Sequence, residues 1–128
     1  MKKKILVVDD ELTTCFLVEN FLNTDYEVIT KTSSVEAVEL LSDTIPDLII
    51  SDIQMPEMDG FEFIKYVRSI GYTKHTPIIM LSGTKESSER IKCYQLGAQD
   101  YLIKPFNPVE LKELVRKNLF PINFSNKW

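Results

Sequence analysis

The chain has 128 residues, enough for one domain, with 44% hydrophobic and 27% charged residues. That balance excludes a wholly disordered, collagenous or coiled-coil chain. No apolar run exceeds four residues, too short for a bilayer span or a secretion signal, and the net charge of −4 suits neither nonspecific nucleic-acid binding nor a membrane surface; a cytoplasmic protein is expected.

After the basic lead-in Met1-Lys2-Lys3-Lys4, residues 5–8 (Ile-Leu-Val-Val) form a continuous apolar run that ends in Asp9-Asp10. Such a run fits a central strand of a parallel sheet, buried on both faces. Residues 12–22 follow as a helix, with Leu17, Val18, Phe21 and Leu22 expected on its inner face. Residues 26–30 are mixed in polarity and read as an edge strand. Ser33 is placed to cap a helix over 35–41, with Glu36 three residues on, the spacing of a capping box. The run 48–50 ends in Ser51-Asp52. A helix over 61–67 carries Phe61, Ile64 and Val67 at helical spacing. Met55, Met58 and Gly60 shape the loop before it, where Gly60 permits a positive φ. Residues 78–81 end in Ser82-Gly83, and a more polar helix over 85–96 stops at Gly97. The strand 101–103 ends in Lys104-Pro105. Asn107 and Pro108 then suit the N-cap and first position of a helix over 109–119.

Strands alternating with helices predict an α/β fold, a doubly wound parallel sheet of five βα units. Residues 1–119 form the domain, and 120–128 read as a tail or truncated linker. Cys15 and Cys93 lie in predicted helices without metal-type spacing and read as reduced thiols. His75 sits in a polar loop and reads as solvent-exposed.

In an open α/β sheet, ligands bind beyond the carboxyl ends of the strands. The residues there are Asp9, Asp10, Asp52, Ser82 and Lys104. Two carboxylates about 4 Å apart repel by roughly 4 kcal/mol at an effective dielectric of 20, so three that converge favour a cation. Oxygen ligands of this kind suit Mg²⁺, which retains waters and often binds phosphate oxygens as well. A carboxylate can attack phosphorus to give an aspartyl-phosphate, and a metal and a lysine stabilise the transferred oxygens. Ser82 offers a hydroxyl donor. Asp52 is the expected nucleophile, on a strand expected between those ending in Asp9-Asp10 and Ser82.

Asp9-Asp10, the stretch Ser51-Asp52-Ile53-Gln54-Met55-Pro56-Glu57-Met58-Asp59-Gly60, Ser82-Gly83 and Lys104-Pro105-Phe106 together resemble the receiver domain of bacterial two-component response regulators (CheY-like). The resemblance covers residues 4 to about 119. It implies a flavodoxin-like (βα)5 sheet with strand order 2-1-3-4-5. It implies that Asp52 accepts a phosphoryl group from a sensor histidine kinase or histidine phosphotransfer protein. It implies Mg²⁺ bound by Asp10, Asp52 and the backbone carbonyl of Gln54, with Asp9 acting largely through water. Lys104 would contact the phosphoryl group, Ser82 would swing toward it, and Tyr101 would rotate inward. The Lys104–Pro105 peptide would be cis. The helix from Lys85, the strand at Tyr101 and the helix from Pro108 would form the switch surface, which acts on a downstream effector or attached output domain and mediates homodimers in many relatives. No enzyme activity is implied beyond the chain's own phosphorylation and dephosphorylation. Gln54 and Thr84 flank the site where relatives vary in dephosphorylation, and Ser82 stands where threonine is commoner.

Other readings attach to the same residues. Asp9 and Asp10 also suit the start of a helix, and Tyr101 also suits a fixed core aromatic. A dehalogenase-type phosphohydrolase needs Asp-x-Asp after its first strand, whereas Asp9-Asp10-Glu11 has the wrong spacing. A flavin or nucleotide binder favours Gly-rich phosphate loops, which are absent here. A pseudo-receiver that only binds partners keeps the fold without the chemistry.

Overall fold

The structure, a computed structural model, describes residues 1–121. Its elements alternate strictly: β1 (Lys4–Val8), α1 (Leu12–Leu22), β2 (Glu27–Lys31), α2 (Ser34–Leu40), β3 (Leu48–Asp52), α3 (Gly60–Ser69), β4 (Ile78–Ser82), α4 (Ser87–Leu96), β5 (Asp100–Ile103) and α5 (Pro108–Leu119). The five strands are parallel, in the order β2-β1-β3-β4-β5. The doubly wound sheet and the strand order implied by the resemblance are therefore observed. The expected tail 120–128 lies mostly outside the described residues, since 122–128 are not among them.

The apolar runs of β1, β3 and β4 are continuous because each strand supplies two cores. Successive side chains point to opposite faces. Ile5, Val7, Leu48, Ile50, Ile79 and Leu81 pack against Cys15, Val18 and Leu22 of α1 and Leu111 and Val115 of α5. Leu6, Val8, Ile49, Ile78 and Met80 pack against Ala37 of α2, Phe63, Ile64 and Val67 of α3 and Cys93 of α4. β2 lies at the edge, as its mixed composition predicts, and none of its residues is fully buried.

Local chemistry explains most boundaries. Asn107 Oδ1 accepts from the N–H groups of Val109 and Glu110, with Pro108 at the first turn of α5. Gly97 ends α4 with φ of 110°, a conformation costly for residues with a Cβ. Ser33 caps α2 by accepting from Glu36 N–H, but the expected capping box is only half made, because Glu36 Oε1 accepts from Thr32 instead. The complete box is at α3, where Asp59 accepts from Glu62 N–H and Glu62 reaches back to Asp59 N–H. β2 lies one residue later than predicted and α4 starts at Ser87 rather than 85. Leu17 is exposed; Thr14 and Cys15 take the inner face of α1 beside Val18 and Leu22.

Gly60 corrects the expectation of a positive φ. The left-handed residue of that loop is Glu57, with φ of 70°. Gly60 is required by close approach: a Cβ there would stand 2.5 Å from the Asp52 carbonyl oxygen and 2.6 Å from Ile53 Cα. The obstacles are backbone atoms and cannot rotate away. Gly60→Ala should therefore destabilise the domain by about 2–3 kcal/mol in urea unfolding. Gly71→Ala, where nothing lies within 4 Å of the added methyl, should stay within about 0.5 kcal/mol of the parent. Equal effects of the two substitutions would refute the close-approach account.

Candidate functional site

Four strand ends build the site at the carboxyl edge of the sheet. Beyond β1, the Asp9 N–H donates to the Lys31 carbonyl at 3.1 Å, which extends the β1–β2 ladder by one residue. β3 carries Asp52 as its last residue and β4 carries Ser82 as its last. Beyond β5, the Lys104 N–H donates to the Ser82 carbonyl at 2.7 Å, so Lys104 starts from a fixed point. The Lys104–Pro105 peptide is cis.

The side chains meet there. Lys104 Nζ lies 2.8 Å from Asp9 Oδ2, 3.0 Å from Glu11 Oε1 and 3.4 Å from Asp52 Oδ1. Asp9 is fully buried, and its second oxygen accepts from the Glu11 N–H at 2.9 Å. Asp52 is buried and accepts from the Ile53 N–H at 2.9 Å. Asp10 is exposed. One carboxylate oxygen from each of Asp9, Asp10 and Asp52 lies within 4.8 Å of the others. Within that distance each pair repels by at least about 3 kcal/mol at an effective dielectric of 20. One ammonium faces three carboxylates and Asp10 adds a fourth beside them, so the cluster retains an excess of negative charge that a cation would relieve.

The protonation equilibria follow from this crowding. Burial, helped by the charge of Asp9 and opposed by Lys104, pushes the Asp52 carboxyl up to about 6. Burial also raises the Asp9 carboxyl, against its hydrogen bond to Lys104. Burial alone would depress the Lys104 ammonium. Its hydrogen bonds to Asp9 and Glu11, together with the charge of Asp52, outweigh that and hold it above its ordinary range.

Asp10, Glu11, Asp52, Gln54, Ser82, Gly83 and Lys104 line an open cleft of about 280 Å³. Asp9 lies behind Lys104 and does not line it. The site residues predicted from sequence at the strand ends are therefore all brought to one place. Ser82 and Tyr101 are also linked. Ser82 Oγ donates to Glu89 Oε1 at 2.6 Å, and the Tyr101 hydroxyl donates to the Thr84 carbonyl at 3.0 Å with the same Glu89 oxygen at 3.3 Å. Glu11 and Glu89 were not legible as site residues. Glu11 had a signal, since it directly follows Asp9-Asp10, but a surface glutamate at a helix start is common. Glu89 reaches the site only because α4 packs beside β4 and β5. Cys15 and Cys93 are free and buried; burial pushes each thiol up to about 11, which keeps both protonated at neutral pH. His75 is exposed, as expected.

The shift at Asp52 makes a stability prediction. The free aspartate titrates near 3.8 and the folded one near 6. Between those values the folded protein retains a proton that the unfolded chain has lost, so stability falls as pH rises through the window. In metal-free buffer at pH 7, Asp52→Asn should stabilise the domain by roughly 2 kcal/mol in urea unfolding. The gain should shrink toward zero by pH 4, and a pH-independent effect would contradict this account.

The comparisons with known proteins agree with this geometry. The model of the response regulator receiver domain matches residues 5–116. The alkaline phosphatase synthesis transcriptional regulatory protein PhoP of Bacillus subtilis is 38% identical over 117 residues, which cover 91% of this chain and 48% of that protein. This chain spans about half the length of most of the curated relatives it matches. The chemotaxis response regulator CheY4 of Vibrio cholerae is 37% identical with a TM-score of 0.87, covering 93% of this chain and all of that one. The receiver domain of sensor histidine kinase PA1611 from Pseudomonas aeruginosa, solved with a magnesium ion coordinated in its active-site cleft, is 28% identical with a TM-score of 0.85 over 93% of this chain and 98% of that one. Five parallel strands in this order, an acidic cluster with a lysine at their carboxyl ends, and a family match over nearly the whole domain make the chain a member of the response regulator receiver domain family.

Proposed function

We propose that Asp52 is the phosphoacceptor of this receiver domain. The observation that carries the reading is the pairing of Asp52 with Lys104 Nζ at 3.4 Å on the floor of an acidic cleft. A carboxylate oxygen of Asp52 attacks the phosphorus of a phosphohistidine, the phosphorus–nitrogen bond breaks, and the imidazole leaves. The product is an aspartyl-phosphate. Lys104 offsets charge on the transferred oxygens, and Ser82 donates its hydroxyl to one of them. Tyr101 responds to that movement, and the α4, β5 and α5 surface carries the change to a downstream effector, an attached output domain or a second copy of the chain. Receiver domains are signalling modules. The chemistry proposed for this one, gain and loss of the phosphoryl group, takes place on itself.

The donor set fits Mg²⁺. Carboxylate oxygens are hard ligands, and two ligands of one Mg²⁺ stand at most about 4.2 Å apart at its short bond lengths. The oxygens of Asp9, Asp10 and Asp52, all within 4.8 Å of one another, are close enough together to serve one such ion. Asp9 would act through water, because both of its oxygens already accept hydrogen bonds, from Glu11 and Lys104. Asp10, Asp52 and the Gln54 carbonyl would be the direct ligands in this reading. A bound Mg²⁺ supplies charge neutralisation for the phosphoryl oxygens.

The phosphodonor is a sensor histidine kinase or histidine phosphotransfer protein. An apolar groove adjoins the cleft and shares Glu11, Gly83 and Lys104 with it, its walls being Leu17, Phe21, Pro105 and Phe106. Leu12 and Phe16 continue this apolar surface along α1. A partner seated there would face Asp52. Among the described residues no helix is long and apolar enough to cross a membrane.

Intact mass after incubation with acetyl phosphate and Mg²⁺ should rise by one phosphoryl group. The adduct should be absent in Asp52→Asn and after chelation. An adduct that persists in Asp52→Asn would remove Asp52 from its role. Lys104→Ala should slow adduct formation by about 100-fold, the size of effect typical of losing one group that stabilises transferred oxygens. An unchanged rate would exclude Lys104 from the reaction.

A further inference from the structure

Glu89 sits at the third position of α4, where a glutamate ordinarily reaches back to the start of its own helix. It does not do so here. The N-cap residue, Glu86, makes no side-chain capping hydrogen bond. The Glu89 carboxylate turns instead toward the sheet and accepts from Ser82 Oγ at 2.6 Å, a length typical of a hydroxyl bonded to a carboxylate. The Ser82 oxygen in turn accepts from the Thr84 N–H at 3.1 Å.

A serine hydroxyl carries one proton. In this arrangement that proton is committed to Glu89, although Ser82 lines the cleft that holds Asp52. It cannot be donated at the same time to a group on Asp52. The same Glu89 oxygen also lies 3.3 Å from the Tyr101 hydroxyl. One carboxylate on α4 thus engages both residues expected to respond to the site.

We infer that Glu89 is a positioning residue that competes with an Asp52-bound phosphoryl group for the Ser82 proton. It thereby sets how tightly the site takes a phosphoryl-like ligand. This rests on the reading of Asp52 as the phosphoacceptor. When Ser82 turns to the phosphoryl oxygens, Glu89 loses its shortest contact and retains Tyr101. The exchange therefore couples occupancy of the site to α4 through a single side chain. Glu89 is only partly buried, so its replacement opens no cavity in either core.

The test is a titration of the chain with beryllofluoride in the presence of Mg²⁺, followed by the bound fluorine NMR signal. Glu89→Ala should bind about tenfold more tightly than the parent, because a charge-assisted competitor for the proton is gone. Glu89→Gln preserves size but offers only a neutral acceptor, and should fall between the two. In a Ser82→Ala background, which binds more weakly, Glu89→Ala should change affinity less than twofold. An effect of equal size with and without Ser82 would make Glu89 merely structural and overturn the inference. So would unchanged or weaker binding by Glu89→Ala in the parent background. A parent chain that binds no beryllofluoride would instead overturn the reading of Asp52, and this inference with it.

Discussion

One ammonium group holds the carboxyl edge of this sheet together. Lys104 follows β5 and contacts Asp9, which is 95 positions earlier and follows β1, as well as Glu11 and Asp52. The carboxylates it joins would otherwise repel one another across the cleft. Lys104 is strong enough to gather them and too weak to neutralise them. The remaining negative charge is what gives the cleft its affinity for a cation. The high basicity of Lys104 follows from its carboxylate partners, whereas the Asp52 carboxyl is raised first by burial and then by the charge of Asp9.

The site lies at the strand ends because the sheet leaves polar groups nowhere else to go. β1, β3 and β4 are covered on both faces, and their interiors are almost wholly aliphatic. Polar side chains become tolerable where the helices no longer cover the strands. β1 sits between β2 and β3, so the chain leaves it first to one side and then to the other. The loops after β1 and β3 diverge there and open a crevice. Gly60 belongs to the same geometry: the start of α3 is drawn onto the end of β3 so closely that its N–H reaches the Ile53 carbonyl at 2.6 Å. Close packing next to Asp52 limits how far that strand end can shift.

The side chains around β4 and β5 connect this rigid edge to a softer element. α4 has few buried residues, Cys93 being its one fully buried side chain, whereas α3 contributes four buried positions. A helix held by so little burial is a natural place for a conformational response. Ser82, Tyr101 and Glu89 lie where that helix meets the cleft. Hydroxyl protons are well suited to such a junction, since each can be redirected between acceptors by rotation about a single bond.

Much of this was legible in the sequence because it depends on local patterns. Apolar runs ending in Asp9-Asp10, Asp52, Ser82 and Lys104 fixed both the strands and the residues at their ends. Asn107-Pro108 and Gly97 marked helix boundaries through requirements of the backbone alone. Strand order and the cis peptide came from the likeness to a known family rather than from periodicity. The tertiary structure decided what depends on distance between segments. Gly60 looks like a turn glycine until β3 is seen against it. Leu17 fits an inner helical face by spacing, yet the sheet takes the face carrying Thr14 and Cys15. Glu36 sits at capping-box spacing but bonds Thr32, while Asp59 and Glu62 form the complete box. Glu11 and Glu89 read as ordinary surface acids, and only packing turns one toward Lys104 and the other toward Ser82. Sequence spacing specifies which face of an element a residue occupies; it carries no information on which distant side chain will meet it there.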